Sequence, residues 1–213
     1  MSAASGQARR ARGAPRPPGP DRSWGWHQLA DDWAARVVAA AGIRPGELVL
    51  DIGAGQGALT GPLIQAGARV IAVELHPGRA EALRRRFGSA SSNGSASSNG
   101  SASSNGGASS NGGAGGVTVV QADAASLRLP RQPFRVVASP PYGITADLLS
   151  LLLAPGSRLV AADLVLQRAA VRKYAERRVR GCRLTQGLAV PRRAFTPPPR
   201  VDSAVLVIRR QPR

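Results

Sequence analysis

From Glu47 to Gly57 the chain reads ELVLDIGAGQG, an apolar run that breaks into three glycines at every second position, and ALTGPLIQAG follows it. Few folds accommodate that order. The run predicts a strand, the glycines a tight turn of positive φ whose backbone comes close to a ligand, and the next stretch a helix. The pattern then repeats. ARVIAVEL predicts a second strand ending at Glu74, PGRAEALRRRF a helix with Pro77 near its start, VTVVQAD a third strand, FRVVASPPY a fourth, TADLLSLLLAP a helix and RLVAADLVLQ a fifth strand. Strands alternating with helices predict an α/β domain whose mostly parallel sheet is covered on both faces.

At the two ends of this pattern the signals are shorter. LADDWAARVVAAAGI places Leu29, Trp33, Val37 and Ala40 on one face of a helix that ends at Gly42, with Asp31 or Asp32 serving its first turn. DSAVLVIRR, near the C-terminus, predicts one more strand, paired in a hairpin with residues around Gly187 to Val190. Residues 1–22 are rich in Pro, Gly and Arg without periodic apolar positions, which predicts a disordered basic arm. Residues 88–116 carry a six-residue Ser/Ala/Asn/Gly repeat with no large apolar side chain. Such a segment cannot bury enough surface to offset chain entropy, so it is expected to be a flexible insertion in a single domain of residues 23–213.

Charge narrows the class of partner. The chain has 29 basic and 12 acidic residues, a net +17, and every basic residue but Lys173 is arginine. A polyanion is the expected partner, nucleic acid ahead of membrane, because no basic amphipathic helix stands out. No apolar run approaches membrane-spanning length and the N-terminus lacks the apolar core of a signal peptide, so a cytoplasmic location is expected. One cysteine, Cys182, and two histidines, His27 and His76, give no basis for a disulfide or a structural metal.

The glycine loop by itself fits two chemistries. Read as Gly-x-Gly-x-x-Ala from Gly53, with Glu74 21 residues on at the end of the second strand, it suits a nicotinamide enzyme. It suits a methyltransferase using S-adenosylmethionine equally well, because both place a ribose over the carboxyl ends of the first two strands, where an acid accepts from its hydroxyls. Asp123 closes the third strand, where a carboxylate can either accept from the exocyclic amine of a bound adenine or cap the next turn. SPPY, Ser139 to Tyr142, closes the fourth strand beside the switch region of such sheets.

Asp123 and SPPY together break the tie. The N6 amine of adenine is a poor nucleophile because its lone pair is delocalised into the ring. Two acceptors held against its N–H bonds favour a tetrahedral nitrogen aligned for attack. Proline fixes the direction of the Pro140 carbonyl, the side chain of Ser139 supplies a second acceptor, and Tyr142 offers a face on which an extruded base stacks. A nicotinamide enzyme has no evident use for these groups.

LVLDIGAGQGALT, VIAVEL, VVQAD and VVASPPYGIT together resemble the rRNA adenine N6-methyltransferases, a family that includes the erythromycin-resistance methyltransferases of 23S rRNA and the small-subunit adenine dimethyltransferases. The resemblance runs from Trp24 to Arg210 apart from the repeat. It implies a Rossmann-like, S-adenosylmethionine-dependent fold with a seven-stranded sheet. It also implies cofactor contacts at Gly53, Gly55, Glu74, Leu75, Asp123, Ala124 and Ser139, and a target-base pocket at Ser139, Pro140 and Tyr142. AFTPPPRVDSAVLVI looks like the family's segment before its last strand, which puts Phe195 beside the target adenine. WHQL stands where the family usually has Gln-Asn-Phe-Leu, which places His27 and Leu29 at cofactor-contact positions, and Ser139 stands where it usually has Asn. The helical C-terminal RNA-binding domain of many members is expected to be reduced or absent. RNA contact is then expected from RKYAERRVRGCR (Arg172 to Arg183) and PRRAF, with the N-terminal arm as a further candidate.

The expected activity is N6-methylation of an adenine in 23S rRNA by a monomer, conferring macrolide-type resistance. Small-subunit rRNA methylation, a non-catalytic module that binds S-adenosylmethionine and RNA, and, more distantly, a nicotinamide oxidoreductase are the alternatives.

Overall fold

The structure, a computed structural model, describes residues 27–88 and 116–211. The basic arm expected over 1–22 lies outside the described residues, as does the repeat expected over 88–116 except for Gly88 and Gly116. The described chain runs β1 (Gln28–Leu29), α1 (Asp31–Ala41), β2 (Leu48–Ile52), α2 (Thr60–Gln65), β3 (Arg69–Glu74), α3 (Pro77–Phe87), β4 (Val117–Gln121), β5 (Phe134–Ala138), α4 (Thr145–Leu153), β6 (Leu159–Gln167), α5 (Arg168–Ala175), β7 (Cys182–Val190), β8 (Phe195–Thr196) and β9 (Ser203–Arg210).

Seven strands form one sheet in the order β4-β3-β2-β5-β6-β9-β7. Pairing is parallel from β4 through β6 and antiparallel where β9 inserts between β6 and β7. The chain moves outward from β2 through β3 to β4, then crosses back to place β5 on the other side of β2. That reversal makes the carboxyl ends of β2 and β5 the switch point at which sheets of this kind bind ligands.

Strand side chains alternate between two cores, one on each face. Leu50, Ile52, Phe134, Val136, Leu164 and Leu166 pack with α4 and α5, while Val49, Val137 and Val165 pack with α1 and α2. No side chain of β2 or β5 is solvent-exposed, as a strand with helices on both faces requires. On the α1 face the alternation also carries charge. Arg135, read in the sequence as one residue of an apolar run, donates to Gly42 O at 3.1 Å, to Ala41 O and to Glu47 Oε2 at 2.9 Å. It thereby satisfies carbonyls left open at the end of α1. Asp163, on the neighbouring strand, accepts both arms of the Arg209 guanidinium at 2.9 Å.

The expected elements are present with several corrections. α1 does end at Gly42, which is left-handed at φ 61°, and Asp31 and Asp32 occupy its first turn. Its buried face, however, is Ala34, Val37, Val38 and Ala41; Ala40 is exposed and Leu29 lies in β1, ahead of the helix. A β strand and the close approach of Ala30 N to Ala194 O at 2.8 Å draw Leu29 out of the helical register. α2 begins only at Thr60, since the turns that carry the glycines extend through Leu59. β9 pairs with the segment around Gly187 to Val190, but that segment is the end of a nine-residue strand reaching back to Cys182. A register shift between Gln186 and Ala189 brings Gly187 against Val207, where a Cβ would lie 2.7 Å from Cγ2. The basic stretch Arg172–Arg183 is split between the end of α5, a turn and the start of β7. Among the described residues no helix follows β9, and no helix is long and apolar enough to cross a membrane.

Candidate active site

The site grows from the first βα turn. Gly53, Gly55 and Gly57 all have positive φ, at 76°, 58° and 85°. Gly53 and Ala54 donate to Val73 O at 2.8 and 3.0 Å, which ties the loop to the end of β3. A side chain at Gly53 would meet the second motif directly, with its Cβ 3.1 Å from Pro141 Cδ and 3.4 Å from Pro140 Cα. The two motifs therefore pack backbone to backbone, and positive φ together with this contact leaves glycine as the residue that fits.

Glu74, at the last position of β3, is buried and organises the loop around it. Its Oε2 accepts from Gly55 N at 2.9 Å, and its Oε1 accepts from His76 N at 2.8 Å and Arg79 Nε at 3.1 Å. An ionised carboxylate offers about four acceptor positions, so Oε2, with one donor among the described residues, retains capacity for a ligand hydroxyl. Asp123 follows β4 and is exposed. Its Oδ1 accepts from Ala125 N at 2.9 Å, so it caps the turn of Ala124–Ser126 while lining the same cavity as Glu74.

Across the cleft, SPPY leaves β5 and turns directly into α4. Ile144 N donates to Pro141 O at 3.2 Å and Thr145 Oγ1 to Tyr142 O at 2.9 Å, which fixes the loop's exit. The Tyr142 hydroxyl lies 2.8 Å from Ser203 Oγ at the start of β9. Burial raises the Tyr142 phenol above its ordinary value, partly offset by Ser203, so the hydroxyl stays protonated at neutral pH.

The third wall is a two-stranded pair that periodicity cannot reveal. β1 and β8 pair antiparallel with Leu29 opposite Phe195, and both side chains are buried. His27 Nδ1 donates to Pro197 O at 2.8 Å; a carbonyl can only accept, so Nδ1 carries a proton. The imidazole stands 6.2 Å from the Tyr142 ring, centroid to centroid. His27, expected from the sequence beside a cofactor, thus also adjoins the expected base pocket.

One cavity of about 250 Å³ gathers every residue expected at the cofactor or target-base site: His27, Leu29, Gly53, Gly55, Glu74, Leu75, Asp123, Ala124, Ser139, Pro140, Tyr142 and Phe195. Two participants were not anticipated. Ser203 opens an otherwise apolar strand and gave no signal. Asp51 was legible only as the first letter of the glycine motif, yet it lines the cavity and is fully buried, with Thr60 Oγ1 donating to its Oδ2 at 2.7 Å. Burial, with the Glu74 charge adding to it and Thr60 opposing it, pushes the Asp51 carboxyl up to about 7.

The donor set fits S-adenosylmethionine. Glu74 offers a buried carboxylate for ribose hydroxyls, Asp123 a carboxylate for an exocyclic amine, and Leu75 and Ala124 apolar surface for a purine. Among the described residues no group of three or more His, Cys, Asp or Glu is placed to hold a metal.

Known proteins share this architecture. The family profile described as "Ribosomal RNA adenine dimethylase" matches residues 109–213. The "Ribosomal RNA small subunit methyltransferase A" of Thermosynechococcus vestitus is 34% identical over 209 residues, which cover 88% of this chain and 69% of that protein. An "rRNA methyltransferase" of Streptomyces thermotolerans is 33% identical over 83% of this chain and 54% of its own length. The crystal structure of the 23S rRNA methyltransferase ErmE superposes with a TM-score of 0.68 at 27% identity, covering 86% of this chain and 69% of that one. These relatives select the methyl-transfer reading of the glycine loop over the nicotinamide one and over a non-catalytic module. The chain belongs to the ribosomal RNA adenine dimethylase family and is an S-adenosylmethionine-dependent rRNA adenine methyltransferase.

Proposed function

We propose that the chain methylates N6 of an adenine in 23S rRNA, acting as a monomer in the cytoplasm, and so confers macrolide-type resistance. The observation that carries this reading is that Glu74 and the SPPY loop line one cavity, with Gly53 packed on Pro141, so a donor held by the first motif and a base held by the second meet at close range. When bound, S-adenosylmethionine supplies a methyl group already activated on a positive sulfur. The chain therefore has to bind, orient and activate the amine. Gly53, Gly55, Glu74, Leu75, Asp123 and Ala124 hold the donor, with His27 and Leu29 closing that side of the cleft. Ser139 Oγ and the Pro140 carbonyl accept from the two N–H bonds of the target amine, and Tyr142 and Phe195 hold the extruded base by its faces. Base stacking of this kind contributes roughly 1–3 kcal/mol per ring.

Similarity to the 23S rRNA methyltransferase ErmE supports the large-subunit target. The small-subunit enzyme of Thermosynechococcus vestitus, at 34% identity, supports 16S rRNA as the second reading. Labelled S-adenosylmethionine offered with protein-free 23S and 16S rRNA separates them. Label in N6-methyladenine from 23S digests is expected; label confined to 16S establishes the second reading, and label in neither overturns both.

A further inference from the structure

A second concavity, of about 680 Å³, lies outside the cleft, where the N-terminus of α5 faces the Pro191–Ala194 turn and the Arg200–Asp202 segment. Five exposed arginines line it: Arg168, Arg172, Arg192, Arg193 and Arg200. Among the described residues none of the five forms a salt bridge, although Arg79, Arg84, Arg85, Arg135 and Arg209 all do.

Folding alone does not favour this arrangement. Arg168 and Arg172 repel one another one turn apart on α5, and Arg168 adds positive charge to a helix N-terminus whose first turn contains no acid. The acid that is present, Asp202, works as scaffold: its Oδ1 accepts from Arg192 N at 3.0 Å and its carbonyl from Arg168 N at 3.0 Å. One residue thus pins both walls of the groove and leaves the guanidinium groups outward. Position adds direction. Ser203, bonded to the Tyr142 hydroxyl, is the residue after Asp202 and pairs with Gln167 at the end of β6, and Phe195 follows the Arg192–Ala194 turn, so the groove borders the same carboxyl edge of the sheet as the cleft.

We infer that this groove binds the sugar-phosphate backbone of the RNA strand that flanks the adenine in the cleft, with Arg168, Arg172, Arg192, Arg193 and Arg200 as its phosphate contacts. The inference rests on the methylation reading for the identity of the polyanion. Guanidinium forks match phosphate oxygens bidentately, and Arg168 and Arg172, about 6 Å apart along α5, meet successive phosphates better than a single one. Contacts of this kind set register and carry no base preference.

The test measures binding of the full chain to a labelled RNA hairpin with one unpaired adenine, across a salt series. Each of Arg172→Gln and Arg193→Gln is expected to lower the slope of log K against log salt by about 0.7, and the double variant by about 1.4. Arg172→Lys should keep the slope, and S-adenosylmethionine affinity should not change in any of them. Arg84→Gln with Arg85→Gln, on α3, is the control for net charge and should leave the slope alone. An unchanged slope in the double variant, or an equal drop in the control, overturns the groove assignment. If the wild type methylates rRNA while the double variant keeps its slope, the groove fails and the methylation reading stands; if the slope shifts while no rRNA is methylated, the reverse holds.

Discussion

The Tyr142 hydroxyl and Ser203 Oγ, 61 residues apart in sequence, lie 2.8 Å apart and tie the SPPY loop to the first residue of β9. The bond fixes the ring that the base is proposed to stack on, so its two halves can be tested separately. Tyr142→Phe keeps the ring and removes the tether, with an expected stability loss of about 1 kcal/mol and a drop of a few-fold in turnover. Tyr142→Ala removes the stacking face and is expected to lose most turnover while S-adenosylmethionine affinity holds. Single-turnover transfer alongside equilibrium cofactor binding checks both; full turnover in the alanine variant sinks the stacking role.

Gly53 joins the two motifs, so Gly53→Ala should damage both at once. At φ 76° a side chain is strained, and its Cβ would press on Pro141 at 3.1 Å. The expected cost is roughly 1–3 kcal/mol of stability with a rise in cofactor Kd, measured by denaturant unfolding and titration calorimetry. Gly42→Ala, also at positive φ but with nothing within 4 Å of the added carbon, should lose stability while keeping cofactor affinity.

These relationships differ in how far the sequence betrayed them. Gly53 and Glu74 were legible because strand, glycine turn and acid recur at fixed spacing, and SPPY was legible because prolines that end an apolar strand demand a reason. Ser203 was not, because a polar residue opening a strand is ordinary until its partner is known. Pairing of β1 with β8 was equally silent: two-residue strands have no period, so nothing local shows that Leu29 faces Phe195. Arg135 misled in another way, since a buried arginine inside FRVVA reads as one polar interruption; its use at the end of α1 is a contact 93 residues back. The fold was thus readable where local chemistry repeats, and the site was readable except where tertiary pairs complete it.

Asp51 predicts a pH dependence that does not rely on turnover. Its folded carboxyl, pushed up to about 7, lies above its ordinary 3.8. Below both values the residue is protonated in either state and costs nothing. As pH rises between them the unfolded chain ionises while the folded one holds its proton, so stability falls; above both the loss is constant. Asp51→Asn keeps an acceptor for Thr60 and cannot ionise. Relative to the wild type, its unfolding free energy should therefore climb from about pH 4 to about pH 7 by up to ~4 kcal/mol and then level off. Denaturant unfolding of both proteins across that range is the measurement. A difference that stays flat would show that Asp51 is already ionised in the folded protein at low pH.

The proposed acceptor role of Ser139 predicts that its replacement changes the number of methyl groups transferred. Its hydroxyl is a shorter acceptor than the Asn side chain that the resemblance puts at this position, and it can also donate. Activation of an N6 amine that already carries one methyl leaves a single N–H bond, so the second transfer depends more heavily on each remaining acceptor. Ser139→Asn supplies a longer side-chain carbonyl from the same backbone position at the end of β5, beside Pro140 in the cavity. The expected outcome is a larger share of N6,N6-dimethyladenine at equal total transfer, on the order of severalfold, as each such hydrogen bond is worth about 1 kcal/mol. Mass spectrometry of nuclease digests, taken at matched extents of reaction, reads the ratio directly. An unchanged ratio would remove Ser139 from the control of the second step and leave the Pro140 carbonyl as the acceptor that matters.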